Sequence, residues 1–137
     1  MLKKLLIGFV IAVALVGAVG MYYVFIYSVN HHRDVKEEIG ISITANDLAT
    51  AYQQNEVQAN MSYLNKAVLV KGLVISVDKD QSGKTTLLLG DEASLSNVFI
   101  TLKEVHKIPQ KGDTVMVKGV CSGFLSDVVV ADAVIEE

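Results

Sequence analysis

The chain is poor in reactive side chains: it has one cysteine, three histidines and few aromatic rings, which make up 7% of its residues. With Cys121 as the sole thiol, no intrachain disulfide can form, so the folded part must be held by its own core. No cysteine borders the apolar stretch near the N-terminus, which excludes a lipid attached to cysteine there. His31 and His32 are adjacent and lack a further Cys or His at ligand spacing, so no metal site is expected. His106 stands alone beside Pro109 with no nucleophile in view, and is expected to be a surface residue rather than a general base. The chain shows no Ser/His/Asp pattern, no dinucleotide fingerprint and no close carboxylate pair on a helix. Gly83-Lys84-Thr85 echoes the end of a phosphate-binding loop, but it lacks the upstream glycine and opens a strand rather than a helix. These absences point away from an enzyme and imply no cofactor.

Basic residues are also scarce where they would matter. Subtracting Lys3 and Lys4 from the 12 Lys and Arg leaves 10 against 15 Asp and Glu, so the part after the apolar stretch carries about −5. Nucleic-acid binders draw affinity from displacing counterions on phosphates, and this balance has the wrong sign for that or for anionic lipid.

What the chain has in abundance is one long apolar run. Leu5 to Tyr27 gives 23 consecutive uncharged residues, flanked by Lys3 and Lys4 before and by Arg33 and Asp34 after. As a helix this run reaches roughly 34 Å, enough to cross a hydrocarbon core of about 30 Å. Gly8, Gly17 and Gly20 are tolerated in lipid, and Tyr22, Tyr23, Phe25 and Tyr27 suit a headgroup region. The rival reading is a signal peptide cut after the small-x-small site Ala18-Val19-Gly20. Cleavage there would expose MYYVFIY as a new N-terminus, an apolar end that favours retention as an anchor. The expected organisation is a cytoplasmic N-terminus (1–4), a signal-anchor helix (5–27) in the bilayer, a stalk (28–43), and a folded domain (44–137) on the periplasmic or extracellular side. The orientation follows from Lys3 and Lys4, since Arg33 and Lys36 are diluted by nearby acids.

Within the domain, Thr44 followed by Asp47 predicts a helix start, and apolar spacing through Leu48, Ala51, Tyr52, Asn55 and Ala59 predicts one helix from about Asn46 to Asn60. From Lys66 the period becomes that of strands. The expected strands are 67–77, 85–89, 97–102, 114–121 and 128–135, with a bulge or bend at Gly72 in the first. A hairpin loop at 78–84, turns at 90–92 and 111–113, a connector at 103–111 stopped by Pro109, and a loop at 122–127 join them. Five strands in this order make a mainly β protein with an OB-type barrel, preceded by one packed α-helix and the transmembrane helix.

The runs YQQNEVQANMSYLNKAVLVKGLVISV and KGDTVMVKGVCSGFLSDVVVADAVI resemble the tRNA_anti-like family of bacterial OB-fold proteins, often small and envelope-attached. The resemblance covers about Asp47 to Ile135. Its carriers are the Asn55-x3-Ala59-x3-Tyr63 spacing, Lys71-Gly72, Gly112-Asp113 and Gly119-x-Cys121-x-Gly123, none of them catalytic. The resemblance implies a second cysteine near Ala133 in relatives; here none is present, and Cys121 is expected to be an inert packed residue.

An OB barrel binds on its second and third strands and on the loops after the first and fourth. Those strands offer Thr85, Thr86 and Thr101 with Phe99 as their one ring, and the loops add Lys84 and Phe124. These six residues are the candidate ligand contacts. One or two rings make a poor platform for stacked bases, which contribute about 1–3 kcal/mol each. The expected function is therefore a membrane-anchored, non-enzymatic binding module for an envelope protein or small polar ligand. Its alternative is a nucleic-acid-binding domain on the cytoplasmic face, using a basic stripe from Lys71, Lys84, Lys103 and Lys118.

Overall fold

The computed structural model describes residues 1–27 and 35–136, the side chains of residues 26 and 27 excepted. The chain divides into two compact units, one ending at residue 34 and the other beginning at Val35.

The described residues of the first unit form a helix, α1 (Leu2–Tyr22), prolonged by a π-helical turn over Tyr23–Tyr27. It starts three residues before the uncharged run, taking Lys3 and Lys4 into its first turn. The stretch Leu2–Phe25, 24 residues of mean hydropathy 2.5, has no buried residue. Its length of about 36 Å and its composition are enough to cross a membrane.

The second unit is built on alternation. Strands β2 (Ala67–Lys79), β3 (Thr85–Leu89), β4 (Val98–Leu102), β5 (Thr114–Phe124) and β6 (Val128–Glu136) run in the order β2-β3-β4-β6-β5. Pairing of β2 with β5 closes them into an OB-type barrel. Every second residue points inward: Val68 and Val70, Leu87 and Leu89, Val98, Ile100 and Leu102, Val117, Val128 and Val130 are all at most 1% exposed. Burying each such side chain contributes about 1.5–3 kcal/mol, which is what drives closure.

A register irregularity in β2 lies between Val74 and Ser76, just past the point where its pairing passes from β5 to β3. The bulge expected at Gly72 is not there, since Gly72 sits in regular register opposite Val115. Gly72 is small for another reason: a Cβ there would meet the Ala45 Cβ at 2.8 Å and the Leu89 Cβ at 3.1 Å. The start of the helix packs directly on the strand, and only glycine leaves room.

The single helix expected over 46–60 is two helices, α2 (Ala45–Gln54) and α3 (Glu56–Tyr63). Thr44 caps α2 as anticipated, accepting from the Asp47 N–H at 3.1 Å. Asn55 breaks the run by taking extended dihedrals (φ −158°, ψ 93°), and its side chain caps α3 by accepting from the Gln58 N–H. Asparagine is a strong cap residue, and here capping outweighs helical continuity. Leu48 and Tyr52 of α2 and Ala59 of α3 enter the core.

The stalk expected over 28–43 begins at residues outside those described. From Val35 onward the chain already belongs to the domain: Val35 is 3% exposed, and the Lys118 ammonium donates to the Lys36 carbonyl at 2.9 Å. A short strand, β1 (Ile41–Thr44), pairs parallel to β2 with Ile41 opposite Val68. Four residues carry too little alternation to announce a strand in the sequence.

Candidate ligand face

Strand register decides which side chains share the outer wall of the barrel. Leu87 pairs with Ile100 and Leu89 with Val98, all four facing the core, so Thr86 with Thr101 and Leu88 with Phe99 face outward. Phe99 is 37% exposed at the middle of this wall. The row through it continues to Val129 on β6 and to Ser76 on β2, the partner of Leu88.

Of the six predicted contacts, the structure brings three together: Thr86, Phe99 and Thr101. Thr86 is only 4% exposed, enclosed between its cross-strand partners Asp78 and Thr101, so the ring and Thr101 dominate what a ligand meets. Thr85 alternates to the core side and is 8% exposed. Lys84 lies in the hairpin before β3, where its N–H donates to the Asp80 carboxylate at 2.9 Å. That carboxylate also accepts from the Ser82 hydroxyl at 2.7 Å and the Ser82 N–H at 2.9 Å. These bonds, the hydroxyl's foremost, hold the Asp80 carboxyl below the usual carboxylate range.

Phe124 belongs elsewhere. Its register partner is Val128, which faces the core. Its ring stacks on Tyr52 of α2 with centroids 5.6 Å apart and planes at 19°. The Tyr52 hydroxyl in turn lies 3.3 Å from the Cys121 Sγ, and burial, then this contact, pushes the phenol pKa upward. Cys121 is fully buried there, which accounts for the thiol as a packing residue.

Side chains that sequence reasoning missed order the loops that lead into β4 and β6. Asn97, 8% exposed, ties two loops together: its Oδ1 accepts from the Asp91 N–H at 2.9 Å and its N–H donates to the Asp127 carboxylate at 2.7 Å. Gly90 has φ +149°, and a Cβ there would collide with the Asn97 Oδ1. The Gln53 amide on α2 reaches the Ser96 hydroxyl at 2.7 Å. So pinned, the loops hold Leu95 and Leu125 almost fully in solvent, at 97% and 84% exposure. Leucine in a loop carries no sequence signal of its own; only the clamp reveals it.

The lysines gather on a different side. On the outer surface of β2 and β5, Lys71 pairs with Met116, and Lys118 pairs with Leu69 one position along the same face. A groove of about 700 Å³ is lined there by Lys71 and Lys107 together with Asp113 and Glu136. It adjoins a smaller one of about 290 Å³ that shares Lys107 and Ile135 and includes Lys36, Glu104 and His106. Lys36 is held by Glu104 at 3.3 Å. Of the four lysines expected to form a stripe, Lys71 and Lys118 share this surface, while Lys84 lies in the hairpin before β3 and Lys103 just after β4.

No curated protein matches the chain. Among solved structures, the crystal structure of a "putative nucleic acid-binding lipoprotein" from Klebsiella pneumoniae subsp. pneumoniae matches with a TM-score of 0.55 at 14% identity. The match covers 70% of this chain and 92% of that one, a likeness of fold. The tRNA_anti-like family model matches residues 1–134. With nearly its whole length matched and its domain closed as an OB-type barrel, the chain belongs to the tRNA_anti-like family.

Proposed function

We propose that this protein is a membrane-tethered, non-enzymatic OB-type binding module that works outside the cytoplasm and takes a protein or small polar ligand on the outer wall of β3 and β4. The observation that carries this reading is the placement of Phe99: a large ring, 37% exposed, centred on a wall whose neighbours are hydroxyl-bearing and aliphatic. A ring held on a rigid sheet offers contact area at little entropic cost, as binding surfaces generally do. The apolar α1 supplies the tether, and Lys3 and Lys4 at its start favour retention of that end on the cytoplasmic side.

Two measurements test it. A photo-crosslinking residue placed at Phe99 in the full-length protein in membranes should yield adducts that the same residue at Thr50, an exposed position on α2, does not. Equal adducts from both positions would remove the wall as a ligand site. For the orientation, an impermeant thiol reagent applied to intact cells should label a Ser28→Cys variant. Labelling only after lysis would place the domain inside.

A second reading is favoured by the groove between Lys71 and Lys107. A strand of nucleic acid lying there would be held by phosphate contacts, and its retention should fall steeply with salt. Retention of the full-length protein on single-stranded DNA at low salt, lost in a Lys71→Ala/Lys107→Ala variant, would establish this reading. No retention at low salt would remove it.

A further inference from the structure

The outer wall of β3 and β4 is ordered into two rows of unlike chemistry. One row is apolar: Leu88, Phe99 and Val129 are direct cross-strand partners on β3, β4 and β6. The pinned loops add Leu95 and Leu125 to the apolar side chains that this domain leaves in solvent. The other row ends in a carboxylate on each side. Thr86 pairs with Asp78 of β2 and with Thr101 of β4. Opposite Thr101, β6 carries one residue more than β4 between Val130 and Ala133. Asp132 stands in that bulge, exposed and with φ +49°. Neither the Asp78 nor the Asp132 carboxylate engages a hydrogen bond or ion pair among the described residues, and no lysine or arginine occupies an outward position of β3 or β4.

Charge complementarity selects the occupant. A second copy of this chain would set the same carboxylates against each other. Phosphate backbones and anionic headgroups meet Asp78 and Asp132 on a portion of the chain that carries about −5. We propose that this wall docks a polypeptide segment that sets an aromatic or aliphatic side chain against Phe99 and its apolar row, and directs lysine or arginine side chains at Asp78 and Asp132. The proposal rests on the reading of this wall as the ligand face and names the ligand's class. The buried apolar anchor supplies most of the affinity, while the charges set register and association rate.

Panning the full-length protein in detergent micelles against a phage-displayed library of random dodecapeptides tests it. The expected outcome is enrichment of peptides that combine an aromatic or leucine residue with at least one lysine or arginine. A synthetic copy of the leading peptide should bind about tenfold or more weaker to Phe99→Ala. It should bind about three- to fivefold weaker to Asp78→Asn/Asp132→Asn, and that difference should shrink at high salt. Thr50→Ala on α2 should leave its affinity unchanged, and thermal unfolding should confirm that each variant is folded. The proposal is overturned by no enrichment, by acidic peptides, or by peptides whose affinity none of the wall substitutions moves. Oligo-dT and chitohexaose are titrated in parallel. Phe99-dependent binding of either of these without peptide binding overturns the polypeptide while leaving the wall as the ligand face. If no probe shows Phe99 dependence, both readings fall.

Discussion

The two outer surfaces of the barrel differ more from each other than the composition of the chain suggests. On β3 and β4 the outward positions are Thr86, Leu88, Phe99 and Thr101, flanked by Asp78 and Asp132. On β2 and β5 they include Lys71, Met116 and Lys118, with Lys107 lining the groove beside them. A net charge averages over this segregation. The acidic balance argues against phosphate binding for the molecule as a whole, yet one surface still collects several lysines, while the outward positions of β3 and β4 hold none. Partner chemistry is therefore a property of each surface, fixed by strand register.

The comparison is broken most completely by attacking the core that both surfaces share. Ile100 is fully buried directly behind the wall, and Ile100→Ala should destabilise the domain by about 2–5 kcal/mol. Thermal or urea unfolding followed by far-ultraviolet circular dichroism would measure this, and both surfaces should lose binding together. Gly72→Ala comes next, because the new Cβ meets Ala45 where β2 passes between the two surfaces. A cost of about 1–3 kcal/mol is expected, read as a lowered urea midpoint at constant slope. An unchanged midpoint would show that α2 shifts away freely.

Two further changes sharpen the comparison rather than break it. Asn97→Ala leaves the Asp91 N–H without its acceptor and loosens the loop that carries Leu95, while the backbone N–H of residue 97 still donates to Asp127. A loss of about 1–3 kcal/mol is expected. Amide exchange should quicken in residues 91–96 while residues 125–127, β2 and β5 stay protected. The smallest effect belongs to Asp80. Its carboxyl is held below the usual range in the folded state, so it contributes stability above the ordinary carboxylate pKa and loses it as pH falls through the lowered value. Asp80→Asn should therefore be less stable than the parent at neutral pH, and the two stabilities should converge in strong acid.

Much of this architecture was legible in advance, for identifiable reasons. Thr85–Leu89 was read to the residue because a hairpin turn and Gly90 bound it tightly. The cap at Thr44 was legible because a side-chain acceptor and an acid three residues on leave a local signature. Other features depend on contacts that no local pattern carries. The break at Asn55 fell on what looked like an apolar stripe, and β1 was too short to show alternation. The role of Gly72 needed α2 packed beside it. Of the ligand contacts, strand alternation alone cannot say that Thr86 and Phe99 share a wall while Phe124 turns toward α2. That requires the pairing of β3 with β4 and of β5 with β6.

The seclusion of Cys121 beside the Tyr52 hydroxyl also has a practical use. A native sulfhydryl that solvent never reaches stays silent toward maleimides and spin labels while the fold is intact. Reporter cysteines can therefore be introduced one at a time into the unaltered chain, and a signal that grows on warming would time the moment the barrel opens.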